Sequence, residues 1–150
     1  MADLVFNIAK GKAAYYAGLP ATNDALIVVP IEASGIEADE TLKDYDNLSA
    51  LLGGTSNEQT SNMTRKTLAS VTVTVSDSPG ENWVNIDAAD PTWTAVTGNA
   101  IAALVICYDP DTTGGTDSDL IPLVKLDCAM TPDGSDFTAQ FATTGFYRAS

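Results

Sequence analysis

Histidine is absent from this 150-residue chain. Its absence removes Ser-His-Asp and Cys-His nucleophile pairs, histidine-ligated zinc and the side chain that most often acts as a base near neutrality. Basic residues are scarce: 7 Lys and Arg stand against 20 Asp and Glu, for a net charge of −13. A surface of that sign repels phosphate backbones and argues against a DNA- or RNA-binding domain. Long apolar runs are missing too. The longest, Ile101 to Cys107, is far shorter than the ~20 residues a membrane-spanning helix needs. The opening residues Met1 to Asn7 show no basic segment leading into a long apolar stretch, so no secretory signal and a cytoplasm-like site of synthesis are expected. Aromatics make up only 7% of the chain.

What is present is enough to fold. A hydrophobic content of 45% supports a core, and no internal repeat or linker-like stretch divides the chain, so one domain over residues 1–150 is expected. The two cysteines, Cys107 and Cys128, fall in segments that both read as strands. They would form a disulfide only if those strands pair suitably; the plainer reading is two buried thiols acting as small hydrophobes.

The punctuation is that of a mainly β protein, a sandwich or small barrel with one packed α-helix over about residues 39–52. Leu4 to Ile8 and Ala13 to Ala17 suggest an opening hairpin around Lys10-Gly11-Lys12. Leu26 to Ile31 is continuously apolar, as in a strand covered on both faces, and Pro30 places it at an edge or near its own end. In the expected helix, Leu42, Tyr45, Leu48 and Leu52 share one face. Thr41 with Asp44 has the form of a capping box, acids cluster at the N-terminal end, and Gly53-Gly54 supplies a left-handed stop. Val71, Val73 and Val75 alternate with Ser70, Thr72, Thr74 and Ser76, the two-residue period of a strand with one core face and one hydroxyl face. The turn residues Asp77 to Asn82 then lead to a partner strand, Trp83 to Asp87. Asp90 to Trp93 reads as a turn, Ile101 to Tyr108 and Leu120 to Cys128 as strands, and Phe137 to Phe141 and Gly145 to Arg148 as short closing strands.

The segment richest in candidate chemistry is Asp109 to Asp119. Asp109, Asp111, Thr113 and Asp117, followed by Asp119, follow the ligand spacing of a calcium loop for several positions. Leu120 stands where a bidentate Glu is needed, and no flanking helices are expected, so an EF-hand is excluded. A looser calcium site on a β-loop competes with a solvated turn. Asp87, Asp90, Asp133 and Asp136 are further acids in turns; a glycosidase-like pair would need two of them placed across a cleft. Gly53-Gly54-Thr55-Ser56 lacks the Lys of a phosphate loop. Trp83, Trp93, Tyr15 and Tyr16 are either core or a carbohydrate or partner platform. No catalytic or cofactor-binding residue is assigned.

Five strings carry a resemblance: Gly11 to Pro20, Asp44 to Leu51, Asp87 to Trp93, Cys107 to Asp117, and Asp133 to Phe146. Through them the chain resembles, over nearly its full length, small virion structural proteins encoded among the head genes of tailed bacteriophages, of the kind that decorates or cements the outer capsid. The resemblance implies a non-enzymatic, decoration-type β domain. It would be made in the bacterial host cytoplasm, bind the major capsid protein on the outside of the virion, and act as a homo-oligomer, a trimer by analogy, without direct contact to nucleic acid or membrane. A tail-tube or head–tail joining subunit is the alternative within virion proteins, and a calcium- or carbohydrate-binding module the alternative outside them. For interface residues, Ala2, Asp3, Leu4, Val5 and Phe6 are short and apolar enough to add a strand to a neighbour, though an ordinary first strand is the plainer reading. The loops Thr55 to Thr64 and Asp109 to Asp119 are long enough to be contact loops.

Overall fold

The computed structural model describes residues 2–19, 22–78 and 80–150, without the side chains of residues 77, 78, 81 and 82. Pro20 and Pro79, expected in turns, lie outside the described residues. The elements run β1 (Leu4–Val5), a 3₁₀ turn (Asn7–Ala9), α1 (Ala13–Ala17), β2 (Ala25–Glu32), α2 (Asp39–Leu42), α3 (Leu48–Gly53), β3 (Lys66–Thr67), β4 (Thr72–Ser78), β5 (Glu81–Asp87), β6 (Thr92–Trp93), β7 (Ile101–Asp109), β8 (Ile121–Met130), β9 (Phe137–Thr138) and β10 (Tyr147–Ala149). The fold is mainly β, as the composition of turns and alternating runs implies. All strand pairs are antiparallel. They form a five-stranded sheet in the order β1-β8-β7-β2-β3, a three-stranded sheet β10-β5-β4 and a small pair β6-β9, with no closed barrel among the described residues.

The five-stranded sheet is covered on both faces, which explains why β2 and β7 read as unbroken apolar runs. On one face, Leu26 and Val28 of β2, Leu104 and Ile106 of β7 and Val124 of β8 pack with Ile86 of β5, Trp93 and the alanines of α1. On the other, Ala25, Ile27, Val29 and Ile31 of β2 and Val105 and Cys107 of β7 pack with Phe6, Leu42, Leu48 and Leu51. Alternate residues of one strand therefore feed two different cores. Pro30 sits near the end of β2. Its carbonyl accepts from Gln59 N on the flank away from β7, so its missing N–H breaks no bond of the β2–β7 ladder.

Several expectations about local structure are corrected. Ala13 to Ala17 is a helical turn rather than the second strand of an opening hairpin; three of its five residues are Ala, the best helix former, and a short apolar run has no period to tell strand from helix. The helix expected over 39–52 is two pieces, α2 and α3. Between them lies Lys-Asp-Tyr-Asp-Asn, where Asp and Asn favour turns over helix interiors. Asn47 restarts the helix, its side chain accepting from Ala50 N at 2.8 Å. Thr41 lies inside α2 and does not cap it; the N-cap position is Ala38. Leu42 and Leu48 are nonetheless buried in one cluster with Tyr45 and Leu52 packed against it, so the periodic face is real although the helix is interrupted.

Gly54 is needed for space rather than for a left-handed backbone. Its φ is −78°, and a Cβ there would come within 2.5 Å of Glu37 Oε2 and 2.8 Å of the Tyr45 hydroxyl. That hydroxyl donates to Glu37 at 3.0 Å, closing the connection between α2 and α3 beneath the glycine. The expected turn at Asp90 to Trp93 ends as the short strand β6, and the strand expected over Phe137 to Phe141 is only β9.

Candidate interaction surfaces

The Asp109–Asp119 loop connects β7 to β8, and its acids bond to their own turn. Asp109 Oδ1 accepts from Asp111 N at 3.0 Å. Asp111 Oδ1 accepts from Thr113 N at 3.0 Å and Thr113 Oγ1 at 2.6 Å, bonds that hold the Asp111 carboxyl below the usual carboxylate range. Asp119 Oδ2 accepts from Thr116 N and Oγ1, both at 2.9 Å, with the same downward effect. These are Asx-type turns. Asp117 faces elsewhere: it meets the Arg65 guanidinium in a two-pronged pair at 2.6 and 3.0 Å. The five expected ligands are thus divided among separate local bonds. Among the described residues no group of three or more His, Cys, Asp or Glu is arranged to hold a metal ion.

Arg65 ties this loop to the Thr55–Thr64 loop, because it also donates to both oxygens of Glu58 at 2.8 and 2.6 Å. Asp117, then Glu58, push the guanidinium pKa up, and Arg65 in turn holds Asp117 down. A polar cavity of about 380 Å³ opens beside the pair, between the β3 strand and the loop. The loop backbone is fixed from the other side as well: Ser49 N donates to Asp117 O and Leu48 N to Leu120 O, both at 3.0 Å. The Thr55 to Thr64 loop is anchored from within by three side chains. Ser56, Gln59 and Met63 are buried. Gln59 Nε2 donates to Asn99 O at 2.8 Å, and Gln59 Oε1 accepts from Ser61 N at 2.6 Å.

The remaining acids behave similarly. Asp133 accepts from Ser135 N at 3.0 Å and Oγ at 2.6 Å, Asp136 from Ala95 N at 2.9 Å, Asp90 from Phe141 N at 2.8 Å and Asp87 from Ala88 N at 2.9 Å. They cap turns and join loops. The aromatics do not make one platform. Trp93 is buried, stacks on Phe137 with centroids 5.9 Å apart and donates its indole N–H to Thr64 O at 2.7 Å. Trp83 lies under Arg148 on the three-stranded sheet, and Tyr15 and Tyr16 meet edge to face beside Tyr108.

The N-terminal segment docks on its own chain. Leu4 and Val5 pair with Lys125 and Val124 of β8, Phe6 is fully buried, Ala2 N donates to Asp39 at 3.1 Å and the Asp3 carboxylate accepts from Asp127 N. Beneath it lies Lys125, which no periodicity or motif in the sequence singles out. Lys125 is 0% exposed and its ammonium meets Asp39 and Asp127. A lone Lys inside the apolar run Leu120 to Cys128, next to an Asp two residues on, is the signal that could have found it. The two cysteines are free. Their strands do pair, but Cys107 stands opposite Pro122, and Cys107 and Cys128 feed opposite faces of the sheet. Burial pushes both thiols up.

No helix among the described residues is long and apolar enough to cross a membrane. No protein-family model, curated protein or solved structure matches the chain.

Proposed function

We propose that this chain is a non-enzymatic virion structural protein that binds the outside of an assembled phage capsid and stabilises the shell. The reading rests on the near full-length sequence resemblance. One structural observation supports it: hydrogen bonds tie strings that carry the resemblance to one another in the fold. Ser49, in the second string, donates its amide to Asp117 O of the fourth, and Asp90 of the third accepts from Phe141 N of the fifth.

Charge supports the same reading. A subunit carrying −13 remains soluble before assembly by self-repulsion and is badly suited to lie against packaged DNA, so an outward position fits it. The partner is the major capsid protein, and a trimer is the oligomer implied by the resemblance.

The test is reconstitution. Purified chain is incubated with expanded shells that lack it, and the shells are sedimented and heated. Saturable co-sedimentation and a higher rupture temperature are expected. A chain that ignores shells and forms a six-membered ring by native mass spectrometry would overturn this in favour of a tail-tube or joining subunit.

A further inference from the structure

Every sheet has edges, and those of this protein are treated unequally. In the five-stranded sheet the edge strands β1 and β3 are two residues each, and β3 carries Lys66. In the three-stranded sheet β10 is three residues and carries Arg148. Short strands and basic side chains are the usual means of keeping an edge from pairing with another chain. The remaining edge of that sheet, β4, is seven residues long, Thr72–Ser78. It pairs with β5 on one flank without a register shift, and among the described residues no strand occupies its other flank. Thr72 to Ser76 contains no charge and no proline.

The face of this sheet that looks toward the core also runs past its cover. The register aligns Val73, Ile86 and Tyr147 in one row and Val75, Val84 and Ala149 in the next, on the same face. The first row packs into the core, where Ile86 is fully buried. The second row overhangs it: Val75 is 67% exposed, and Val75, Val84 and Ala149 line an open groove of about 360 Å³.

We propose that a second copy of this chain occupies that edge, the two β4 strands pairing antiparallel about a two-fold axis at Val75. Val75 is the middle residue of β4, so this register is self-complementary. It sets Val75 against Val75, Thr74 against Ser76 and Val73 against position 77. In a chain with 20 acids, no acid then faces its own kind along the strand. The uncharged stretch Thr72 to Ser76 is where two such negative molecules can approach. The joined sheet has six strands, and the bare rows of the two copies merge into one apolar strip, Ala149-Val84-Val75 continued by its symmetry mate. An isologous two-fold contact of this sort closes on itself and does not propagate into a fibre. A seven-residue edge pair is smaller than a stable solution interface, so the contact is weak at dilution and fills where copies are held side by side. The pairing does not depend on the capsid reading. If trimers form through another surface, it links one trimer to the next.

Site-directed cross-linking tests it. In a Cys128→Ser background, Val75→Cys is oxidised under mild conditions at high protein concentration and compared with Tyr15→Cys, a similarly exposed position. Circular dichroism checks that each variant is folded. A covalent dimer through position 75 is expected, formed about tenfold or more faster than through position 15. In sedimentation velocity the wild type should show a weight-average mass that rises with concentration, and Val75→Glu should abolish the rise. Cross-linking at position 75 no faster than at position 15 would overturn the pairing. So would self-association that survives Val75→Glu unchanged.

Discussion

The Lys125 ammonium lies 3.1 Å from the Asp39 carboxylate, and through this pair β8 is joined to the first turn of α2. Lys125 has no solvent exposure, whereas Asp39 keeps 29% of its side-chain surface and also accepts from the amide of Ala2. Breaking such a pair from the acid side leaves a buried cation with only Asp127 to balance it. Asp39→Asn should therefore cost about 2 kcal/mol, less than for a wholly buried pair because the acid is part-exposed. Lys125→Met should cost less than that, since it removes the buried charge and leaves acids that water reaches. Urea denaturation of both variants checks the order; equal or reversed costs would show that the pair does not hold β8 to α2.

The acid side of the stability profile follows from the same kind of group. Burial raises the Asp39 carboxyl, but the Ala2 amide and Lys125 together outweigh it and leave the pKa lowered. Arg65, the dominant influence on Asp117, lowers that one too. A carboxylate whose folded pKa lies below its unfolded value of about 3.9 stabilises the fold fully above that value and loses the contribution as pH falls through the folded pKa. The melting temperature should thus be level from neutrality to about pH 5 and drop below about pH 4. Asp117→Asn should lower the plateau and make the drop shallower. A melting temperature in that variant with the wild-type pH dependence would contradict the assignment.

These two ion pairs also mark how far the sequence could be read. The alternation of Val71 and Val73, the doubly covered run Leu26 to Ile31 and the strand pair over 101–128 were legible, because periodicity reports which faces are buried; Val75 keeps the same face but is 67% exposed, because the strand runs past its cover. Arg65 with Asp117 and Lys125 with Asp39 were not. Their partners stand 52 and 86 residues apart in the chain, and nothing local in a charge names its partner. The break between α2 and α3 was hidden for a different reason: Leu42 and Leu48 keep their face across it, so the pattern of burial outlasts the helix that suggests it. The bare edge of β4 was legible only as a strand, since which strand lies at an edge is decided by topology.

Gly98 shows the same dependence on tertiary contacts. Its φ is +102°, and a Cβ there would lie 2.5 Å from Gln59 Nε2 and 2.7 Å from Ser61 Cβ. Gln59 is fully buried and fixed by its bonds to Asn99 and Ser61, so it cannot yield cheaply. Gly98→Ala should cost about 2 kcal/mol or more, from backbone strain and the displaced glutamine together. A thermal melt within 1 °C or so of the wild type would mean that the Gln59 connection is soft.

The Asp109–Asp119 loop is organised by bonds within itself and by Arg65. Its melting temperature should accordingly be the same in millimolar calcium as in a chelator, because a ligand stabilises only what it binds. A saturable rise with calcium would show that Asp109, Asp111, Thr113, Asp117 and Asp119 rearrange around an ion.

The proposed outward capsid position is tested most directly by cryo-electron microscopy of the intact virion. Density fitting this fold is expected on the outer face of the icosahedral shell, in contact with the major capsid protein. Density confined to the neck or tail, or a shell whose outer face carries none of this chain, would contradict it.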